Sequence, residues 1–390
     1  MKAIFPILAI FLLAPRLFAE PLVIHEWGTF TVLQDETGAA IRGINTDDEP
    51  VPDFVHRVGN LIRPSIASPV MPKGVPTCHP DVIMRMETPV IYFYLPVGKT
   101  VTLDLAVEFF GGWMTEFYPN AAATTPGLEN WRLKPDVRGK LEWKELRVGG
   151  NARGPQTDSP VWLAPREVDA VSVTTATGES ERYLFYRGVA NLEAPLRVVR
   201  EGPTLRINGA VSLQNAWLVD VGHGGLCAFR KVPLQNDVQT PAEFFKTDYA
   251  RENLGQLRLQ MRAALITEGL FPREADAMLA TWDKSYFQSP GLRLFYLVPR
   301  EWTDAHLPMK VSVDATLTRV MVGRIEIVTP DQRRLLGLLS NRTDALNASD
   351  PPAAYYLLGR FANALLLDEL RRRPNERLRE FSLALGLGPS

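Results

Sequence analysis

Apolar positions in the first part of the chain recur at a period of two or run unbroken. Val23 to Val32 predicts a strand, and Asp35-Glu36-Thr37-Gly38 behind it is turn chemistry. Val90-Ile91-Tyr92-Phe93-Tyr94-Leu95 is apolar on both faces, the mark of a central strand. Val101, Leu103, Leu105, Val107 and Phe109 alternate with Thr102, Asp104, Ala106 and Glu108, a half-buried strand. Pro96-Val97-Gly98-Lys99 predicts a hairpin turn between these two. Residues 46–80 have no clean period and predict a long irregular loop. Residues 111–160 read as turn-rich and irregular. Strands resume at 168–174, 183–186, 196–199 and 205–207. Asn208-Gly209 predicts a hairpin whose return strand is 210–213. Strands at 217–221 and 226–232 flank a tight turn at Gly222-His223-Gly224-Gly225.

The period then changes. Leu254, Leu257, Met261 and Leu265 recur at helical spacing, Gly269 stops that helix, and Pro272 opens another. Residues 292–298, 311–313 and 319–328 return to strand. Thr329-Pro330-Asp331-Gln332 is a capping box with Pro at the first helical position. Asp350-Pro351 predicts the start of a long helix through Leu357, Phe361 and Leu365, broken at Pro374, before a last amphipathic helix with Leu378, Phe381 and Leu385. The expected fold class is α+β: an antiparallel β-sandwich over residues 20–238, then a mixed region of helices and strands over 239–390 that extends the same sheets or packs on them.

The first nineteen residues change the picture. Lys2, an apolar run from Ala3 to Ala14 and the small residue at Ala19 form a signal peptide. The apolar run is shorter than the roughly 20 residues a membrane span needs. The mature chain is expected to start at Glu20, in the periplasm or outside the cell, with no membrane segment left after cleavage. The full chain carries a net charge of −1, and removing Lys2 and Arg16 makes it −3. That leaves no basic excess for nucleic acid. In an oxidising compartment the two cysteines, Cys78 and Cys227, are expected to pair, closing a loop of about 150 residues.

Catalytic motifs fail on their spacing. Gly98-Lys99-Thr100 lacks the upstream glycine of a phosphate-binding loop, and Phe93 stands there. His25-Glu26-Trp27-Gly28-Thr29 begins like a zinc-protease helix, but Thr29 replaces the second histidine. No Gly-x-Ser-x-Gly elbow exists. His25, Glu26 and His79 remain candidate metal ligands, brought together from separate segments. Charges inside apolar strands carry more information: Arg85 and Glu87, Glu116, and Arg187. A buried charge needs a partner, so these four are expected to form one polar cluster, with His25 and Glu26 nearby. Glu87 and Glu116 are the candidate catalytic carboxylates. Trp27, Arg85, Arg187, Trp113 and Tyr118 are the candidate binding residues. Trp113 and Trp131 lie in irregular segments and are the tryptophans expected at the surface.

His25-Glu26-Trp27-Gly28-Thr29-Phe30-Thr31, Met84-Arg85-Met86-Glu87-Thr88-Pro89-Val90, Leu184-Phe185-Tyr186-Arg187-Gly188 and Met321-Val322-Gly323-Arg324-Ile325-Glu326 resemble segments of a family of large secreted bacterial proteins of uncharacterised activity. The resemblance implies an exported bacterial protein and brings no cofactor or catalytic residue. Two functions stay open. One is an exported, non-catalytic binding or interaction protein with a small-molecule, glycan or cell-envelope partner. The other is a secreted hydrolase using Glu87 and Glu116 or a loop-assembled metal. The cofactor is unknown.

Overall fold

A computed structural model describes residues 22–45, 51–58, 70–71, 75–76, 78–209, 215–233, 237–342, 344 and 346–387. The leader and the 210–213 return strand lie outside these residues. The main sheet has nine strands, in the order Cys227–Lys231, Ala216–Val221, Gly291–Val298, Ala315–Ile327, Leu22–Gln34, Met84–Tyr94, Leu184–Ala190, Gly112–Tyr118 and His56–Arg57. All neighbours are antiparallel except the central pair, where Leu22 lies opposite Ala315 and Gln34 opposite Ile327 in parallel. Parallel neighbours need a long crossover, and here most of the molecule lies between them. Residues from both sides of position 238 therefore build one sheet.

The fold is α+β in three layers. One face of the main sheet packs on a second sheet built around Val101–Phe110 and Arg138–Val148. Leu22, Ile24, Phe30 and Met84 meet Leu105, Val107, Phe109 and Trp143 in this core. The opposite face is covered by the helices Glu252–Thr267 and Pro272–Thr281. These bury Leu257, Met261, Leu265 and Met278 against Trp27, Val90, Phe185 and Trp217. No helix among the described residues is long and apolar enough to cross a membrane.

Several local expectations change. The turn at Pro96–Lys99 forms, with Lys99 N donating to Pro96 O at 3.0 Å, but it leads from the main sheet into the second one. It is a sheet-to-sheet corner and not a hairpin. Gly112–Tyr118 is a strand with every residue buried, so it shows no alternation. Arg138–Val148 does alternate, but the register shifts opposite Leu103 and Leu105, and Glu145 has φ 50°, which interrupts the period. Asn208-Gly209 ends the strand Thr204–Gly209, whose two neighbours are Leu196–Glu201 and Val238–Pro241. Both of its edges are thus occupied. The long helix expected from Asp350 divides into Ala353–Tyr356 and Ala362–Arg372, because Gly359 adopts φ 83° between them. The capping box at Thr329 is present, with Thr329 N donating to Gln332 Oε1 at 3.0 Å.

Cys78 and Cys227 are not bridged, which corrects the expected pairing. Cys78 belongs to the core between the sheets, Cys227 to the core under the helices. The main sheet separates the two. Burial, then the nearby Asp220 charge, pushes the Cys227 thiol up to about 11, so it is protonated at neutral pH.

The first turn is tied to the C-terminal helices by Glu36. Its Oε1 and Oε2 accept from Arg333 Nε at 2.6 Å and Nη2 at 3.1 Å, and Arg372 Nη1 lies 3.3 Å from Oε2. Burial alone would raise this carboxyl, but the Arg333 hydrogen bonds, with the charges of Arg333 and Arg372, hold it at about 2. A lowered acid stabilises the fold above its unfolded value of 4.5, and that contribution fades as pH falls from 4.5 towards 2. The side chain is 27% exposed, so solvent screening reduces the contribution to about 2 kcal/mol. Urea unfolding at pH 6 is expected to show Glu36→Gln less stable than wild type by that amount, with the gap narrowing below pH 4.5 and closing only as pH falls through about 2. A gap independent of pH would contradict this pairing.

Candidate functional site

Side chains alternate between the two faces of a strand, so residues adjacent in sequence separate. Glu26 points into the core between the sheets. There it accepts a short hydrogen bond from Tyr186 OH, and Arg319 Nε lies 2.5 Å from its second oxygen. Arg319 Nη1 also donates to Asp304 Oδ1 at 2.9 Å. His25 points to the helical side, where Nδ1 lies 2.8 Å from Glu274 Oε2 and Tyr94 OH donates to Glu274 Oε1 at 2.6 Å. Glu274 also accepts from Phe271 N, closing the start of its helix. Burial and the Glu274 charge raise the Tyr94 phenol above its ordinary value. His79 is elsewhere, with Nε2 3.0 Å from Trp131 O and Nδ1 accepting from Asp81 N. Burial lowers its pKa. The three candidate metal ligands therefore do not converge, and no cluster of three ligating side chains occurs among the described residues.

The helical face of the main sheet is divided into two halves. Trp27, Val90, Tyr92, Phe185, Trp217, Val219, Phe295, Val320 and Val322 form an apolar half beneath the helices. Further along, the same face carries Thr29, Thr31, Arg85, Glu87, Arg187, Glu116, Arg293, Arg324 and Glu326. A line of irregular pairing marks the border. The register shifts between Trp27 and Thr29 against the Met84 strand, and between Phe185 and Gly188 against the same strand. The Met84 strand fits one extra residue opposite Gly28, at Thr88-Pro89, where proline offers no N–H to the ladder. This bulge turns Glu87 and Arg85 onto the face that Val90 and Tyr92 occupy higher up.

In this polar half the charges are held in three groups. Arg187 lies opposite Glu116, with Nη1 3.5 Å from Oε2, and Arg57 Nε donates to Oε1 at 3.2 Å. Arg85 Nε lies 2.9 Å from Glu87 Oε1, and Arg360 Nη2 lies 3.2 Å from both Glu87 oxygens. Arg324 and Arg293 share a single oxygen, Glu326 Oε1, at 2.5 Å from Arg324 Nη2 and 3.1 Å from Arg293 Nε. Arg293 also holds the roof of the site. Its Nη1 donates to Ser285 O and Tyr286 O at 3.0 Å, and its Nη2 to Ser289 O at 2.6 Å. Burial lowers the Arg293 pKa; Glu326 opposes this, and the like charges of Arg324 and Arg360 add to it. It stays charged at neutral pH.

Thr31 occupies the centre of the polar half. In the sheet register it lies between Arg324 on one side and Arg85 on the other. Its hydroxyl and Arg324 Nη1 are both buried, and neither hydrogen-bonds to any described residue. Two positions away, Thr29 Oγ1 makes a short hydrogen bond with Tyr286 OH, which closes the site beneath the roof. The unsatisfied donors belong to adjacent strands on one face. A guanidinium edge beside a hydroxyl is oxyanion-recognition chemistry.

The four charges expected to cluster, Arg85, Glu87, Glu116 and Arg187, do share this face, and all four are buried. Glu26 is on the opposite face. His25 is about 20 Å from Thr31 along the strand, at 3.3 Å per residue. The surface-tryptophan expectation is overturned. Trp27 and Trp113 are fully buried, Trp131 is half-buried, and none of the eight tryptophans is exposed. Trp113 Nε1 donates to Pro126 O at 2.7 Å, which fixes it as core. Tyr118 is also buried, packing edge-on to Phe54 and Trp162. Arg293, Arg324, Glu326, Thr31 and Arg360 were missed. Arg324 and Glu326 carry the signal that exposed Arg85 and Glu87, charges alternating inside an apolar strand.

No family model matches the sequence, and no curated protein matches it. Solved structures with a remote likeness include the Fcho1 Mu homology domain of Danio rerio with bound Eps15 peptide, at TM-score 0.25 and 8% identity, covering 80% of this chain and 96% of that one. The yeast delta-COP-I mu-homology domain complexed with Dsl1 WxWxV peptide gives TM-score 0.27 and 7% identity, covering 80% and 97%. Likeness at this level carries no argument about fold or partner.

The Glu26 group on the opposite face has a structural role. Glu26→Ala strands Arg319 in the core and is expected to cost about 3–5 kcal/mol in urea unfolding. A loss under about 1 kcal/mol would contradict a buried, obligatory pair.

Proposed function

We propose that this is an exported, non-catalytic binding protein, and that the polar half of its main sheet takes a small oxyanion. The single observation behind this reading is the pair Arg324 Nη1 and Thr31 Oγ1. Both are buried donors without a partner among the described residues, beside two guanidinium groups that share one carboxylate oxygen. Leaving buried polar atoms unmade costs about 1–3 kcal/mol each. An oxyanion would satisfy both atoms and balance the shared charge. The shared chemistry covers phosphate, sulfate and carboxylate. Glu87 and Glu116 are each held by two guanidinium groups. That arrangement favours positioning arginines over carboxylate acid–base hydrolysis.

Export rests on the leader sequence. N-terminal sequencing of the protein recovered from outside the cytoplasm is expected to start at Glu20, and a retained Met1 would contradict it.

Calorimetric titration with inorganic phosphate, sulfate and acetate tests the site and ranks the three sources. Wild type is expected to bind at least one of them, and Arg324→Gln to weaken that binding more than about tenfold. Thr31→Val separates binding from structure. It replaces an unsatisfied hydroxyl by a methyl of the same shape, so the ligand-free protein gains about 1 kcal/mol while losing anion affinity. Wild type that binds none of the three anions, or a Thr31→Val variant that is destabilised with unchanged affinity, would refute the proposal.

A further inference from the structure

The main sheet carries a second recess, on the face opposite Arg293, Arg324 and Thr31. Asp220 follows Ala216 and Leu218 in steps of two along one strand, and both of those belong to the core on that opposite face. Leu292 lies directly across from Asp220 in the neighbouring strand and belongs to the same core. A cleft of about 430 Å³ is lined by these two residues. Small-molecule sites span about 300–1,000 Å³. The sheet separates this cleft from the proposed oxyanion site, so the two stand or fall independently.

Two charges of opposite sign line the cleft from different elements. Arg200 stands in the strand Leu196–Glu201, on the same side as the buried Leu196 and Val198. Its Nε is buried and hydrogen-bonds to no described residue. Its backbone N donates to Glu36 O at 2.8 Å, and the Glu36 carboxylate accepts from Arg333 in the helix Pro330–Ser340. Arg200 is thus tied to the first turn of that helix, where a negative group is favoured. Asp220 is half-buried in the main sheet, and Tyr249 OH donates to its Oδ2 at 2.6 Å. Phe244 stands edge-on to Tyr249, with ring centroids 6.2 Å apart, and the Arg230 guanidinium lies 4.0 Å from the Phe244 ring. The two other acids in the lining are at the surface. Glu243 is exposed, and Asp331 is 73% exposed and paired with Arg334 at 3.0 Å. Water screens both.

A guanidinium with an idle buried nitrogen costs stability until an anion meets it. A half-buried carboxylate in the same cleft asks for a cation, and the aromatic and leucine side chains around both ask for an apolar body. We infer that the cleft takes an amino acid or a short peptide with an apolar side chain. Its free carboxylate lies at Arg200, its ammonium at Asp220, and its side chain against Phe244 and Leu357, which also line the cleft. Complementary charge gives specificity more than raw affinity, so the effect is read as a preference between probes.

Calorimetric titration with leucine and with leucyl-leucine tells the two sources apart. Isoamylamine, which is leucine without its carboxylate, and isocaproate, which is leucine without its ammonium, are the single-charge probes. Wild type is expected to bind leucine or the dipeptide at least about tenfold more tightly than either probe. Arg200→Gln is expected to remove the advantage over isoamylamine while leaving isoamylamine binding unchanged. Asp220→Asn is expected to remove the advantage over isocaproate. A third variant covers a folding failure in either. Leu357 is 51% exposed, so Leu357→Cys leaves the core intact, and Cys78 and Cys227 are buried. A bulky maleimide coupled there blocks the cleft and is expected to weaken binding of leucine or the dipeptide at least about tenfold relative to the uncoupled variant. Wild type that binds neither zwitterion, or binds them no better than the single-charge probes, overturns the inference. So does a preference that survives both charge substitutions, or binding that survives the coupling. Isocaproate binding alone, surviving the coupling, overturns it too and belongs to Arg324 and Thr31.

Discussion

A guanidinium inside a β-sheet loses its water, and the penalty amounts to several kcal/mol unless carboxylates and carbonyls surround it. Five arginines are buried among the described residues: Arg85, Arg187, Arg293, Arg319 and Arg324. The architecture is arranged around neutralising them. Arg319 is met by Glu26 from the neighbouring parallel strand. Arg187 is met by Glu116 directly across an antiparallel pair. Arg85 and Arg324 are each met by a carboxylate two residues along their own strand, Glu87 and Glu326. Alternation puts residues i and i+2 on one face, so a strand that buries an arginine can carry its counter-charge with it.

The two faces of the sheet meet this constraint differently. Between the sheets, Glu26 has both oxygens occupied, by Tyr186 and Arg319, and Arg319 reaches Asp304 as well. That group leaves only Arg319 Nη2 without a hydrogen bond among the described residues. On the helical face, Arg293 and Arg324 converge on one oxygen of Glu326, and the Thr31 hydroxyl beside them is idle. A closed network stabilises and specifies a fold, whereas a partly satisfied one is costly by itself. Both networks leave a guanidinium nitrogen idle, and the helical face differs in that an idle hydroxyl, Thr31 Oγ1, stands in register beside it, the feature on which the proposed oxyanion site rests.

Much of the fold was legible in the sequence because period and punctuation agreed locally. Val23–Val32, the helix from Leu254 to its stop at Gly269, and the Thr329 capping box all follow from side-chain spacing. Long-range relations were not legible. Nothing in Leu22–Gln34 states that its parallel partner lies near residue 320, and nothing in Cys78 or Cys227 states that a sheet divides them. Gly112–Tyr118 is buried on both faces, so it loses the alternation that would announce it. The site was half legible. Buried charges at Arg85, Glu87, Glu116 and Arg187 stood out against apolar neighbours, and they do lie together. Thr31 gave no signal, because a threonine in a strand is ordinary until its neighbours in the sheet prove to be Arg324 and Arg85. His25 and Glu26 misled because adjacency in a strand means opposite faces.

The central claim is that the helical face of the main sheet is completed by an oxyanion. Diffraction from crystals grown with selenate tests it most directly, because selenium scatters anomalously and cannot be confused with water. The account predicts an anomalous peak within hydrogen-bond reach of Arg324 Nη1 and Thr31 Oγ1, on the side of the sheet that carries Glu326. A crystal saturated with selenate that shows no peak there, with Arg324 Nη1 and Thr31 Oγ1 instead satisfied by other protein groups, would contradict it.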